Sequence, residues 1–206
     1  MVAMEREIRE VADSVRAAEP GATAWAAFVY NVLGNAYGTL VITGHYPLGD
    51  SSKAIEYHMQ HLAIEQEVGN RVGEGKAFGN LGTAYDLLGD YSKAIEHHTQ
   101  RLAIAQEVRD RAEELGAYGN LGITHLKLGD YCKALEYHTQ HLAIAKEVKD
   151  RAEEGRAYGR IGDAHKSLGD FAKAVDYHEQ HLAIAIELED RARSPTSILI
   201  ARHFVW

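Results

Sequence analysis

The sequence predicts an all-α fold, a solenoid of antiparallel helix pairs, on three observations. The chain repeats itself every 40 residues: Gly-Asp recurs at Gly49-Asp50, Gly89-Asp90, Gly129-Asp130 and Gly169-Asp170. Lys-Ala follows at Lys53-Ala54, Lys93-Ala94, Lys133-Ala134 and Lys173-Ala174, and Leu-Ala-Ile returns at 62–64, 102–104, 142–144 and 182–184. Between these landmarks apolar residues fall at helical spacing. A fixed period of this size marks a stacked array of one supersecondary unit rather than a globular enzyme core.

Residues 1–26 read as an N-terminal helical segment. Its charged start, Met1 to Glu7, lacks the apolar core of a secretion signal. The array follows over 27–192, in units 27–69, 70–109, 110–149 and 150–192. In the first unit Gly49 stands fifteen positions after Gly34, where in the later units the same step is seven. The excess of eight, around Val41 to Leu48, predicts a lengthened turn, with a bent or broken first helix as the alternative.

The third unit serves as the model. Asp110 with Glu113 resembles a capping box, repeated by Asp150 with Glu153, while Asn70 is a cap without the matching Glu. Helix A then runs to about Leu128, with Leu115, Tyr118, Leu121, Leu126 and Leu128 at helical spacing. Gly129 suits a left-handed stop and Asp130 caps helix B, which runs from Tyr131 to about Val148. Glycines inside helix A (Gly79 and Gly82, Gly119 and Gly122, Gly159 and Gly162) each cost about 1 kcal/mol relative to Ala. Their spacing predicts close approach by another helix. In the fourth unit Asp190-Arg191-Ala192-Arg193 lacks the cap Glu, and Ser194-Pro195 ends the pattern. Residues 193–206 read as an irregular tail, so a fragment of a longer array is one reading of the chain.

Composition narrows the function classes. Of 206 residues, 46% are hydrophobic and 25% charged, ordinary for a folded soluble domain. A net charge of −8 argues against general affinity for nucleic acid or anionic membranes. Cys132 is the sole cysteine, which points to a reducing, cytoplasmic setting, and no apolar run is long enough to insert in a membrane.

Tyr118, Leu121-Gly122, Gly129-Asp130-Tyr131, Ala134 and Leu142-Ala143 resemble the tetratricopeptide repeat. The 40-residue period exceeds the family's usual 34. The strings Ala117 to Gly122, Tyr137 to Lys146 and Val148 to Glu154 are similar to the long-repeat subclass that includes the Pins/LGN group of G-protein-signalling modulators. The resemblance covers about residues 27–192. It implies a right-handed superhelix whose concave groove is lined mostly by helix A. The Gα-binding motifs of the Pins/LGN group are absent, so that activity is not carried over.

The resemblance also implies which residues face the groove: Lys76, Asn80, Thr83 and Asp86, then Gly116, Asn120, Ile123 and Lys127, then Arg156, Arg160, Asp163 and Lys166. Five of these are basic and two acidic, a net of +3 in an acidic chain. Asn side chains can pair with both backbone groups of an extended peptide, and Arg156 with Arg160 can fork a carboxylate. The predicted binding set is therefore Lys76, Asn80, Asn120, Lys127, Arg156, Arg160 and Lys166, and the expected ligand an extended acidic peptide. The bland alternative is that the asparagines tie neighbouring helices together. Arg156 and Arg160 also resemble half of the carboxylate clamp of chaperone-binding repeats. The other half is not evident, since Gly79 and Thr83 stand there in the second unit, and Asn31 and Asn35 in the first.

Twelve histidines need an account. His58 and His61, His97 and His98, His138 and His141, and His178 and His181 recur on helix B. Two imidazoles on one helical face can hold a metal. Neighbouring helices stand too far apart for one ion to bridge the pairs, and Arg101 replaces a His, so repeat packing is the expectation. Cys132 lies in the first turn of helix B without a catalytic partner, and Walker, nucleophile-elbow and zinc-protease signatures are absent. The expected function is a non-enzymatic scaffold, without cofactor or metal, that binds a protein partner through an extended peptide. Cell polarity or spindle orientation is the setting the resemblance implies. The alternatives are a co-chaperone adaptor and a self-associating array in which the apolar tail enters a neighbour's groove.

Overall fold

A computed structural model describes residues 2–18, 23–42 and 51–193, and all of its regular structure is helical. In chain order the helices are α1 (Val2–Ala18), α2 (Thr23–Ile42), α3 (Ser51–Glu67), α4 (Arg71–Leu88), α5 (Tyr91–Val108), α6 (Arg111–Leu128), α7 (Tyr131–Glu147), α8 (Arg151–Ser167) and α9 (Phe171–Arg193). The residues group into two compact units, 1–120 and 121–206. In the first, α1 packs on α2, α2 on α3, α3 on α4 and α4 on α5; in the second, α7 packs on α8 and α8 on α9. Tight turns join α3 to α4 and α4 to α5 in the first unit, and α7 to α8 and α8 to α9 in the second.

The Gly-Asp-x-x-Lys-Ala motif is a complete turning device. Gly89, Gly129 and Gly169 take φ of 84°, 85° and 80°, the left-handed conformation that a side chain would strain. The N–H of Asp90 donates to Tyr85 O and that of Gly89 to Asp86 O, the paired bonds of a Schellman stop. Asp90 and Asp130 then cap the next helix, each accepting from the N–H of Lys93 or Lys133 at 3.2 Å. Each Lys returns to its Asp, at 3.2 Å in Lys93–Asp90 and 2.8 Å in Lys173–Asp170. Ala94 and Ala134 are fully buried.

The N-caps of helix A hold as predicted, but the capping boxes do not close. Asp110 accepts from the N–H groups of Ala112 and Glu113, and Asp150 from that of Glu153. The cap N–H groups of Asp110 and Asp150 donate to Ala105 O and Ala145 O of the preceding helix instead of to a Glu side chain. Glu113 is drawn off by Arg101 and Glu153 by His141, each on that preceding helix, as described below.

Two further departures concern the ends. Helix α2 is continuous to Ile42, so Val41 and Ile42 of the eight-residue excess belong to the helix; the rest of the excess lies outside the described residues. Helix α9 runs 23 residues, past the point where Arg109 and Lys149 turn left-handed in earlier units. Of the predicted tail 193–206, Arg193 belongs to α9 and the rest lies outside the described residues.

Helix A and helix B of each repeat meet through aromatics and glycines. His97 of α5 stacks between Phe78 and Tyr85 of α4, at centroid distances of 5.9 and 5.2 Å. Tyr57 sits likewise between Tyr30 and Tyr37, and Tyr177 between Tyr158 and His165. A Cβ on Gly122 would lie 2.5 Å from Nδ1 of His138, so the glycine exists to seat that imidazole. Gly34, Gly82 and Gly162 seat His58, His98 and His178 in the same way. The predicted close approach is thus made by a side chain, the recurring helix B histidine.

Candidate functional site

The helix A face of the first unit carries a polar cleft of about 250 Å³. It is lined by Asn31 and Asn35 from α2, Lys76, Gly79, Asn80 and Thr83 from α4, Arg101 from α5 and Glu113 from α6. Lys76, Asn80 and Thr83 fall at i, i+4 and i+7 along one face of α4, while Ala77 and Leu81 next to them are buried. Asn80 Nδ2 donates to Asn31 Oδ1 at 2.9 Å, and Asn35 Nδ2 donates to the same oxygen at 3.2 Å. Asn80 therefore does tie α4 to α2, and it lines the cleft with the exposed Lys76.

Arg101 is the residue that sequence reasoning missed. Its guanidinium lies over Gly79 and Gly116, where added Cβ atoms would come within 2.9 Å of Cδ and 2.7 Å of Nη2. Nε and Nη2 each approach Glu113 Oε2 at 2.8 Å, an ion pair with both side chains mostly buried. The signal was the break in the periodic histidine column, where 61, 141 and 181 are His and 101 is Arg.

In the second unit Arg156 and Arg160 stand one turn apart on α8, exposed and half-buried respectively. Arg156 Nη1 is already paired with Glu153 Oε1, and Glu153 Oε2 also meets His141 Nε2 at 3.2 Å. Arg160 makes no ion pair among the described residues; burial pulls its guanidinium down, with Arg156 adding to the shift and Asp163 and Glu153 opposing it. Burial also lowers His141, against the pull of Glu153. His138, walled in beside Arg160 and His141, is pushed down to about 3, chiefly by burial.

Of the predicted residues, the structure joins Lys76 with Asn80, and Arg156 with Arg160. Asn120 is half-buried on α6, and Lys127 and Lys166 are exposed in the last turns of α6 and α8. The count of +3 omitted Arg101, Glu113 and Glu153. The 250 Å³ cleft holds Lys76 and Arg101 against Glu113, a net of +1. On α8, Arg156 and Arg160 face Glu153 and Asp163, which leaves no excess.

The described residues hold no group of three His, Cys, Asp or Glu placed to bind a metal ion, and no helix long and apolar enough to cross a membrane. Cys132 is an exposed free thiol.

Comparison with known proteins agrees with this architecture. The family model described as tetratricopeptide repeat matches residues 43–107 and 113–187. Human G-protein-signaling modulator 1 is 42% identical over 54 residues, which take in 26% of this chain and 7% of that protein. The crystal structure of BtubC (BKLC) from P. vanneervenii superposes with a TM-score of 0.77 at 21% identity, covering 90% of this chain and 73% of that one. The TPR domain of Arabidopsis FLU gives a TM-score of 0.54 at 29% identity, over 58% of this chain and 98% of that one.

Proposed function

Because the chain belongs to the tetratricopeptide repeat family, whose repeats form protein-interaction scaffolds, we propose that it acts without catalysis, binding an extended, acidic peptide of a partner protein along the groove-facing side of its helix A series. The observation that carries this reading is the Asn31–Asn80 pair in the 250 Å³ cleft. It sets amide groups where an extended backbone would pass, with the exposed Lys76 ammonium beside them. Lys76 and Arg160 supply the attraction for acidic side chains; Arg156 serves only by exchanging Glu153 for a ligand carboxylate. Asn120, Lys127 and Lys166 complete the binding set. Array residues 27–192 form the working part, in four units.

A cytoplasmic setting in cell-polarity or spindle-orientation signalling accompanies this reading. Its support is the Pins/LGN resemblance and the short stretch shared with G-protein-signaling modulator 1.

The test is anisotropy titration with fluorescein-labelled acidic and neutral nonapeptides, on the native chain and on a Lys76→Glu, Asn80→Ala variant. Tighter binding of the acidic peptide, weakened by salt and lost in the variant, is the expected result. Equal binding of both peptides to both proteins would remove the groove assignment.

Self-association is the second reading, favoured by α9. Phe171, Val175, Leu182 and Ile186 are 66, 56, 60 and 52% exposed on this one helix. Sedimentation velocity on the native chain and on Leu182→Lys decides it: a dimer lost on substitution supports this reading, and a monomer in both removes it.

A further inference from the structure

At the second and third joints between repeats, a carboxylate carries a guanidinium of the chain itself. Glu113 holds Arg101, and Glu153 holds Arg156 together with His141. The first joint is built differently. Gly73 stands where the later units have Glu113 and Glu153, and Glu65 stands where they have Ala105 and Ala145. A Cβ on Gly73 would run into the Glu65 carboxyl, so the two exchanges form one device: the acid has moved from helix A to helix B.

Glu65 is 8% exposed. Its Oε1 meets His61 Nε2 at 3.1 Å, and its Oε2 accepts from Asn70 Nδ2 at 2.8 Å. Among the described residues no Lys or Arg pairs with it. A carboxylate offers about four acceptor positions, and these partners use two. A cleft of about 470 Å³, framed by α2, α3 and α4, opens onto it and is lined by Ala27, Phe28, Val68, Val72 and Lys76 among others. Phe28, in that lining, is 63% exposed.

We propose that this cleft receives an arginine side chain of the partner peptide, its guanidinium on Glu65, performing at the first joint what Arg101 performs at the second. Charge complementarity selects the occupant. A buried carboxylate that lacks a cation gains most from acquiring one, because low-dielectric surroundings strengthen the pair. The planar fork of arginine suits both a carboxylate and an aromatic face, whereas an ammonium is a compact, strongly hydrated charge. Lys76 lies exposed on the same cleft, so the residue flanking this arginine is acidic. The assignment rests on the groove reading, since Asn31 and Lys76 line both clefts.

The test uses fluorescein-labelled nonapeptides of Glu and Ser with one central residue, arginine or its neutral isostere citrulline. The arginine peptide is expected to bind the native chain at least tenfold more tightly, and Glu65→Gln to abolish that difference. Equal affinities, or a difference that survives Glu65→Gln, would overturn the proposal. A parallel ¹H–¹⁵N NMR titration of the native chain with Nα-acetyl-arginine amide needs neither the groove nor a folded variant. Shifts at Gly73 and Asn70, absent with the citrulline analogue, support the pocket even where no nonapeptide binds and the groove reading fails. No shift at those residues overturns the pocket independently of the groove.

Discussion

Acid should unfold this protein through its buried histidines well before its carboxylates protonate. His138 and His98 are fully buried and His58 is 3% exposed, each ring seated on a glycine. Neither ring nitrogen of His138 is hydrogen-bonded. Burial holds His58 at about 4 and His138 at about 3, against 6.5 in the unfolded chain. The folded values are depressed, so the unfolded chain binds protons first. The stability these groups contribute is present above pH 6.5 and is lost as pH falls toward 4 and 3. Lowering the pH from 7 to 5 should cost about 2 kcal/mol for each, about 4 kcal/mol together. His61, His97, His125 and His141 are also lowered by burial and act in the same direction. Urea unfolding followed by far-UV circular dichroism at pH 7, 6 and 5 measures the loss. In a His58→Asn, His138→Asn variant the pH 7 to 5 difference should shrink by about 4 kcal/mol, whatever its stability at pH 7. A variant that keeps the native pH dependence would refute the assignment to these two rings.

Three further outcomes are expected from denaturation of single variants. Gly122→Ala should destabilise by about 1–3 kcal/mol despite a better helix propensity, because the new Cβ meets His138; adding His138→Ala should restore part of the loss. Asp130→Ala should cost about 1 kcal/mol by removing the acceptor for the Lys133 N–H. Glu113→Ala should cost about 1–3 kcal/mol, since it strands the mostly buried Arg101, while Arg101→Met, Glu113→Met should recover much of it.

The turning device was legible because it is local. A left-handed Gly, a capping Asp and the Lys three residues on settle their geometry among themselves. Glu113 and Glu153 were less so. Read along the chain they are capping-box partners; in the fold, Arg101 and His141 from another helix decide where they point. The same limit applies to the groove charge, which was counted from the family's groove positions alone and left out Arg101 of helix B as well as Glu113 and Glu153 of helix A. The histidine column was seen as periodic packing, yet its seat on the helix A glycines needed two helices side by side.

The acid exchange at the first joint also bears on how such arrays are shuffled. Repeats of one length, with one turning device, invite duplication, deletion and reordering as modules. A helix B bearing Glu65, joined to a helix A bearing Glu at the place of Gly73, would press two carboxylates into one buried space. A helix B of the Ala105 kind joined to the Gly73 helix would leave neither. The first joint is therefore keyed: its two halves travel together or the splice is faulty, in natural recombination or engineered.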